Sequence, residues 1–495
     1  MAFLDALAPT VGLTYYTGHE GRPVTDSRVH VTSFGTSVEG RSLPLAVWGA
    51  PAASAEAVLA TGKTRVLVFA NIHAGEVDGK EAALMLLRDL AMGRHDDWAD
   101  SLVVLVAPIY NADGNERFSL DNRPLQWGPV GGMGQRPNAQ GLDLNRDFVK
   151  LAAPETRALV RLMREYDPHV VLDLHTTDGT AMGYHLTYAP PLHPTTDPLI
   201  DLELRDRLLP AVTAQVKHQT GWDIWHYGNV PGAFGEPVTV PRGWYSFDPR
   251  PRFSTNYVGL RNRLGILAES YSYASFEERI RVTLAFLEAV LDYAAANATR
   301  IGAITQALDD HSIANHVLTL RSTLAPLPDS VDVLLGEVDT LRHPATGAPM
   351  LARRDVRRPE RMPAFIRFAP EETAAAPRAW LVPADLAPVV ELLDLHGIRY
   401  SRTPQTFETA EAFEIDSVET AARPFQDRLP RTLHGYWGTL NDAGLTNVLV
   451  VPADQPLGRL AFLLLEPRSE DGIVAWDVLP EEAYQRGRYP IYRLH

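Results

Sequence analysis

The first 300 residues alternate short apolar runs with stretches of helical periodicity, and this alternation constrains the fold more than any other feature. The apolar runs have the length expected of strands buried on both faces; they span 65–72, 102–108, 169–174 and 264–268. A strand pair, 29–35 and 43–49, precedes them, and helices are predicted at 78–92, 154–166, 198–217 and 275–297. Strands that alternate with helices predict an α/β fold, with a mostly parallel mixed sheet covered by helices on both faces.

The pattern changes after about residue 305, where prolines separate short segments. Strand-like runs recur in this part, at 379–382, 447–451, 460–465 and 473–476, and one helix is predicted at 384–396. A chain of 495 residues is also too long for one ordinary hydrophobic core. We therefore predict a catalytic domain over 1–300 and a β-rich accessory domain over 311–495, in one or two pieces.

The chain contains no cysteine, which limits the metal chemistry open to it. Disulfides, thiolate metal sites and a cysteine nucleophile are all excluded. A zinc site would have to use His, Asp and Glu, a ligand set more typical of catalytic than of structural zinc.

Charge and hydropathy exclude two classes of partner. The formal net charge of −15 argues against nucleic acid, because phosphate binding needs a basic face. No run of 18 apolar residues is present, so no membrane span is expected.

The first residues lack the basic and apolar regions of a signal peptide, which predicts a cytoplasmic protein. A secreted or periplasmic chain from which the signal peptide had been removed would have the same sequence.

Polar residues follow each of the four buried strands. His73 and Glu76 follow the first strand, Asn111 to Gly114 the second, His175 the third and Glu269 the fourth. The His-x-x-acid spacing is weak evidence alone, because a chain with 16 histidines and 61 acidic residues contains such pairs by chance. The carboxyl ends of parallel strands, however, meet at one edge of a sheet. We therefore expect these side chains to lie close together.

Two imidazoles and one carboxylate suffice to hold one zinc ion and leave a coordination position for water. His73, Glu76 and His175 are the predicted ligands, with one Zn²⁺ per chain. Zinc lowers the pKa of a bound water to about 7 and polarises a carbonyl, and a carboxylate off the metal then serves as general base. Glu269, on a separate strand, is the predicted base. Asp143 is the predicted partner of a ligand imidazole, whose second nitrogen needs an acceptor.

In order and context, these residues resemble those of the zinc carboxypeptidase (carboxypeptidase A-like) family. The resemblance rests on His73 and Glu76, on the run from Asp143 to Arg146, on His175 and on Glu269. The run from Asn111 to Gly114 is similar to the family's usual Asn-Pro-Asp-Gly, with alanine in place of proline. The likeness spans about 30–295, does not cover the accessory domain, and implies a metallocarboxypeptidase with the fold of that family.

The resemblance also implies roles for polar residues around the metal. Asn145 and Arg146 would bind the free C-terminal carboxylate of a peptide substrate, a task that suits the planar fork of an arginine. Arg136 lies nine residues before Asn145, where some members of the family carry the arginine that stabilises the oxyanion. Other members place that arginine closer to the Asn-Pro-Asp-Gly run, which makes Arg123 the alternative here.

The family also uses a mobile tyrosine that closes over the substrate. Its usual distance before the catalytic glutamate falls here near Phe247, which is not a tyrosine. The nearest candidates are Tyr245 and Tyr257, and we take Tyr257 as the predicted substrate-binding residue.

Three functions are compatible with this set of residues. The first is hydrolysis of the C-terminal amide bond of peptides, which the long loops at 110–145 and 222–262 favour because they fit a peptide-sized cleft. The second is removal of the acyl group from N-acyl amino acids. The third is a catalytically inactive peptide-binding module, against which the complete set of ligands and base argues. The segment 251–262 contains no acidic residue, which disfavours basic C-terminal residues, while Arg250, Arg252, Arg261 and Arg263 leave acidic ones open.

Overall fold

The computed structural model describes residues 15–16, 23–24, 29–177, 179–344, 346–402, 406–485 and 487–495. The predicted lack of a signal peptide concerns the first residues of the chain, which lie outside the described ones. The centre of the fold is an eight-stranded sheet. Its strands are β1 Val29–Thr36, β2 Ser42–Trp48, β3 Thr64–Ala70, β4 Leu102–Ala107, β5 Val170–Thr177, β6 Leu186–Ala189, β7 Ile224–His226 and β8 Leu264–Tyr271.

The spatial order of the strands is β1-β2-β4-β3-β5-β8-β6-β7. The four central strands β4, β3, β5 and β8 are mutually parallel. The pairs β1–β2, β2–β4 and β6–β8 are antiparallel, and the edge strand β7 is parallel to β6. Every residue of β3 and β4 is buried, which agrees with their nearly continuous apolar sequences. The predicted mixed, mostly parallel sheet is confirmed, and β6 and β7, which the sequence did not predict, extend one edge.

Helices cover both faces of the sheet, and three of the four predicted helices, those at 78–92, 154–166 and 275–297, begin and end within a few residues of their predicted limits. The helices span Ala55–Leu59, Asp78–Ala91, Ala112–Glu116, Pro154–Tyr166, Pro198–Leu202, Leu209–Thr220, Ser254–Leu260, Phe276–Ala296 and Ala298–Asp309. The helix predicted at 198–217 contains a π-helical segment, Glu203–Leu208. Among the described residues, none of the helices is both long and apolar enough to cross a membrane.

The C-terminal part is rich in strands, as predicted. Antiparallel pairs form its first section, from Val317–Ala325, Val331–Leu335, Val338–Arg342, Pro349–Arg353, Arg358–Met362 and Arg367–Ala375. A six-stranded sheet follows, with Ser401–Arg402, Val448–Pro452, Ala379–Pro383, Tyr492–Leu494, Phe407–Thr420 and Arg431–Leu445 in this spatial order. Its helices are Ala387–His396, Gly458–Leu465 and Glu481–Gln485.

Two predicted strands of the C-terminal part are wrong. Residues 460–465 belong to the helix Gly458–Leu465, and 473–476 form turns. Both runs are buried in the same hydrophobic core. Periodicity cannot separate a strand from a helix in a short run that is apolar on every side, so the sequence left this assignment undetermined.

The C-terminal part packs closely against the catalytic half. One hydrophobic core includes Leu144 and Tyr257 of the catalytic half together with Trp380 and Phe462. The hydroxyl of Tyr257 lies 2.8 Å from Nδ1 of His396, a buried histidine of the C-terminal part. Because one core crosses the region around residue 305, the division into 1–300 and 311–495 stays a prediction.

Four buried or half-buried histidines predict that acid destabilises the fold. Burial lowers the pKa of His169 and His185 to about 4 and that of His226 and His396 to about 3. An unfolded histidine titrates near pH 6.5, so below this pH the unfolded chain binds protons that the folded chain does not. The free energy of unfolding should therefore fall as the pH falls from about 6.5 toward 4, by up to about 1.4 kcal/mol per pH unit for each histidine.

The substitution His396→Gln tests this expectation. In urea unfolding of the metal-free protein, acidification from pH 7.5 to 5.5 should cost H396Q about 1.4 kcal/mol less than it costs the wild type. Replacement of His218, which is exposed, should leave the pH dependence unchanged. An equal loss in H396Q and wild type would contradict the assignment.

Candidate active site

The predicted ligands converge at the carboxyl edge of the sheet. After β3 ends at Ala70, Asn71 adopts a left-handed conformation (φ 67°) and turns the chain toward His73. Nδ1 of His73 lies 3.0 Å from Oε1 of Glu76, and Nδ1 of His175 lies 2.8 Å from Oε2 of the same carboxylate. The ligand atoms of the three residues lie within 4.8 Å of one another, and each residue is at most 3% exposed.

The outer nitrogens of both imidazoles are paired with carboxylates. Nε2 of His73 lies 3.0 Å from Oδ1 of Asp143, and Nε2 of His175 lies 2.9 Å from Oδ2 of Asp173. These pairs leave both Nδ1 atoms facing the Glu76 carboxylate. Two nitrogen donors and one carboxylate, with each imidazole anchored from behind, form a donor set that fits zinc.

Sequence reasoning missed Asp173, although a signal for it was present. Asp173 interrupts an otherwise apolar strand and precedes His175 by two residues, so the two side chains point to the same face of β5. Its Oδ2 also accepts a hydrogen bond from the Ser254 hydroxyl. A buried acid at this spacing from a ligand histidine is the expected pattern of an imidazole anchor.

Burial opposes ionisation of the carboxylates around the ligands, but neighbouring charges prevail. His73 and Arg123 lower the pKa of Glu76 well below its usual value, although burial alone would raise it. Burial likewise acts to raise the pKa of Asp143, and His73 and Arg136 bring it far below the ordinary range. Both groups are therefore anionic at neutral pH, as a metal ligand and the partner of a ligand imidazole must be.

Glu269 lies beside His175 because the two strands that carry them are adjacent and parallel. In the register of β8 and β5, Glu269 stands opposite His175. Both residues lie within their strands, whereas the sequence predicted that the strands end before them. The strands continue because the polar residues that follow find partners inside the protein.

Asp78 is the partner that holds these strand ends together. Its Oδ2 accepts hydrogen bonds from the hydroxyls of Thr176, at 2.7 Å, and Ser270. Its Oδ1 accepts one from Nε of Arg279 at 3.0 Å, and all four side chains are buried. Thr176 and Ser270 are the neighbours of His175 and Glu269, so Asp78 fixes both functional strands relative to the turn that carries Glu76.

The ligands and Glu269 open onto one cavity of about 140 Å³. Its other polar walls include Arg123, Arg136, Asn145 and Arg146. Arg123 donates a hydrogen bond of 2.7 Å to Oε1 of Glu76, while Nη1 of Arg136 lies 3.8 Å from that oxygen. Both arginines considered for the oxyanion are therefore next to the metal ligands.

Asn145 and Arg146 are placed by a short 3₁₀ turn, Leu144–Arg146. Asp143 caps the turn by accepting a hydrogen bond from the Asn145 backbone N–H at 2.9 Å. The Arg146 guanidinium lies 4.0 Å from the centre of the Phe253 ring. Burial lowers the pKa of Arg146, and the nearby cation Arg136 lowers it further against the opposing effect of Asp143. The approach of an anion would therefore stabilise the charged form of the Arg146 guanidinium.

Tyr257 is not part of the cavity. Its side chain is fully buried in the helix Ser254–Leu260, with its hydroxyl engaged by His396. The tyrosine that lines the cavity is Tyr227, next to Phe247, with ring centres 5.8 Å apart. The sequence did not indicate Tyr227, because it lies in a long loop where no periodicity fixes the direction of a side chain.

The anchor of His175 gives a direct test of the metal centre. Asp173→Asn should weaken zinc binding by about 10- to 100-fold, because outer-shell partners of ligand imidazoles have effects of that size. Competition with a chelator measures the affinity. The matched control is Asp292→Asn, which removes a carboxylate bonded to Trp98 and Gln215 instead of a ligand and should leave zinc affinity unchanged. Equal zinc affinities of D173N and the wild type would rule out this role.

Comparisons with known proteins agree with this geometry. Residues 24–220 match the family model for zinc carboxypeptidases. The chain is 24% identical over 477 residues to Carboxypeptidase 2 of Trichophyton rubrum, covering 92% of this chain and 81% of that protein. It is 31% identical over 193 residues to Carboxypeptidase D of Mus musculus, covering 33% of this chain and 14% of that protein.

Among solved structures, a metallo-carboxypeptidase from Burkholderia cenocepacia aligns with a TM-score of 0.42 and 19% identity, over 60% of this chain and 68% of that one. The likeness to the Trichophyton protein includes 92% of this chain, so it extends into the C-terminal part that the motifs left uncovered. The family model and the curated relatives therefore indicate a zinc carboxypeptidase domain at residues 24–220 and an enzyme of the metallopeptidase class.

Proposed function

We propose that this protein binds one zinc ion per chain through His73, Glu76 and His175 and hydrolyses the C-terminal amide bond of peptides. The observation that carries the proposal is the single cavity onto which these ligands, Glu269 and Arg146 all open. The family implies zinc and peptide substrates. The donor set fits that metal, and the guanidinium groups fit a substrate with a free carboxylate.

Glu269 is the proposed general base. Zinc, when bound, supplies a Lewis acid that acidifies water and polarises the scissile carbonyl. Glu269 stands opposite His175 in the adjacent strand and lines the same cavity without being one of the clustered ligands. It takes a proton from the attacking water and delivers it to the nitrogen of the leaving amine.

Arg136 is the proposed donor to the oxygen of the scissile carbonyl as negative charge develops there. Arg123 donates a hydrogen bond of 2.7 Å to Glu76, and its side chain is only 12% exposed. It therefore stabilises the Glu76 carboxylate and is less accessible to a substrate than Arg136. The side chain of Arg136 is 45% exposed, and its Nε and Nη2 bond to Asp143, which leaves Nη1 on the side of Glu76 at 3.8 Å. This nitrogen is the one placed to reach a substrate.

Asn145 and Arg146 are the proposed binding groups for the terminal carboxylate. The Oδ1 of Asn145 accepts a hydrogen bond of 3.0 Å from the Ser254 backbone N–H, which fixes the orientation of the amide. The Arg146 guanidinium carbon lies 4.0 Å from the centre of the Phe253 ring, and this contact holds the guanidinium at the cavity wall. These two groups select peptides with a free C-terminus.

The remaining walls of the cavity favour an uncharged C-terminal side chain. They include Thr177, Tyr227, Phe247, Thr255 and Leu267. The four arginines considered as binders of acidic side chains are engaged elsewhere: Arg250 with Asp248, Arg252 with Asp471, Arg261 with Tyr257, and Arg263 with Asp167 and Asp309.

The proposal is tested by C-terminal release from a peptide library, followed by mass spectrometry with and without a chelator. We expect release of single C-terminal residues that a chelator abolishes and added zinc restores. Blocked dipeptides and N-acyl amino acids at equal concentration separate peptide hydrolysis from the deacylase function. A zinc-loaded protein that hydrolyses neither would be a binding module.

Glu269→Gln should abolish turnover while the protein keeps its zinc. The amide cannot accept the water proton, and general acid–base catalysis contributes about 10²- to 10⁴-fold, so kcat should fall by at least about a hundredfold. Zinc content by elemental analysis and kcat on a blocked dipeptide are the measurements. A fully active E269Q enzyme would end the assignment.

Arg146→Ala should remove the preference for a free C-terminus. A charged hydrogen bond contributes about 1.5–3 kcal/mol, so kcat/KM for the free acid should fall by about 10- to 150-fold. The same peptide with an amidated C-terminus should be hydrolysed slowly by both the variant and the wild type. Arg250→Ala is the matched control, because Arg250 pairs with Asp248 and does not line the cavity. Unchanged discrimination between acid and amide in R146A would assign carboxylate binding to another group.

A further inference from the structure

A hairpin of the C-terminal part reaches the active site. Its strands are Phe407–Thr420 and Arg431–Leu445, and we call residues 421–430 the hairpin tip. The side-chain Oε1 of Gln426 accepts a hydrogen bond of 2.8 Å from the backbone N–H of Asp143, across 283 residues of sequence. Gln426 is partly buried, whereas the tip residues on either side of it are exposed.

Asp143 is the point at which the metal ligands and the proposed oxyanion donor meet. Its Oδ1 lies 3.0 Å from Nε2 of His73, and its Oδ2 accepts hydrogen bonds of 2.9 and 3.1 Å from Arg136. A group that fixes the backbone of Asp143 therefore acts on a zinc ligand and on Arg136 together.

The backbone of the tip is strained in a way that places the Gln426 side chain. Phe425 and Arg428 exchange backbone hydrogen bonds of 2.8 and 3.1 Å, so Gln426 and Asp427 are the two central residues of a tight turn. Both are left-handed, with φ of 51° and 59°. Turns of this kind favour Asn and Gly, and a glutamine in this conformation is uncommon. Strained residues of this sort concentrate at functional sites.

A second contact joins the tip to the segment that carries Phe253. The Phe425 ring lies 5.4 Å from the guanidinium of Arg252, which also lies 4.5 Å from the Trp476 ring. The buried carboxylate of Asp471 accepts hydrogen bonds from the side chain and the backbone N–H of Arg252, at 2.8 and 2.6 Å. Arg252 precedes Phe253, the ring on which the Arg146 guanidinium lies.

We propose that Gln426 is a positioning residue for Asp143, so that this one side chain of the hairpin tip is a built-in part of the active site. The C-terminal part thereby holds the imidazole of His73 and the guanidinium of Arg136 in place. The inference rests on the proposed function for its activity readout only, because zinc affinity can be measured without a substrate.

The test compares Gln426→Gly with Asp427→Gly. Both variants relieve a left-handed residue in the same turn, but only Q426G removes the acceptor for Asp143. Gln426 contacts Asp143 and not the His73 ligand itself, so it is one hydrogen bond further from the metal than Asp143 and its removal should have a smaller effect. We expect Q426G to weaken zinc affinity by about fivefold and to lower kcat/KM by about tenfold. D427G should stay within about twofold of the wild type in both quantities.

Two further measurements separate positioning from a loss of folding. The thermal midpoint of the metal-free protein should be as high in Q426G as in D427G. Gln426→Glu keeps an oxygen acceptor at the same reach and should restore zinc affinity to within about twofold of the wild type. Equal zinc affinities in Q426G and D427G would overturn the inference. A wild type that releases no C-terminal residue would refute the proposed function, while the zinc measurements would still decide the role of Gln426.

Discussion

The buried carboxylate of Asp78 is the interaction on which the functional edge of the sheet depends. It accepts hydrogen bonds from Thr176 and Ser270 at the ends of two parallel strands and from Arg279 of a covering helix. An unpaired carboxylate would be costly at this depth, so each of these donors is needed by the fold as much as by the site. These hydrogen bonds fix the two strand ends, and with them His175 and Glu269, relative to each other.

The candidate metal centre on this frame contains the same arrangement twice, an imidazole between two carboxylates. Glu76 faces the inner nitrogens of His73 and His175, and Asp143 and Asp173 face the outer ones. Negative charge around buried imidazoles favours a cation between them, and the outer carboxylates fix which nitrogen points inward. The cluster of arginines around the cavity balances this charge on the side open to substrate.

The C-terminal part belongs physically to the catalytic unit. It shares a hydrophobic core with the catalytic half, engages Tyr257 through His396 and contacts Asp143 through Gln426. The burial of Tyr257 follows from this packing. A tyrosine that an isolated catalytic half could have left at the surface is covered here, because the helix Ala387–His396 presents a histidine acceptor to its hydroxyl.

The sequence by itself determined the alternating fold and predicted that His73, Glu76, His175 and Glu269 meet at one edge of the sheet, because the buried strands are apolar and parallel strands bring their carboxyl ends together. It did not determine β6 and β7 or the helix Gly458–Leu465, whose short runs carry no decisive period. Only the tertiary structure decided that Tyr227 instead of Tyr257 lines the cavity and that Gln426 reaches Asp143. Such contacts depend on side-chain direction and on packing between segments hundreds of residues apart, which local pattern does not encode.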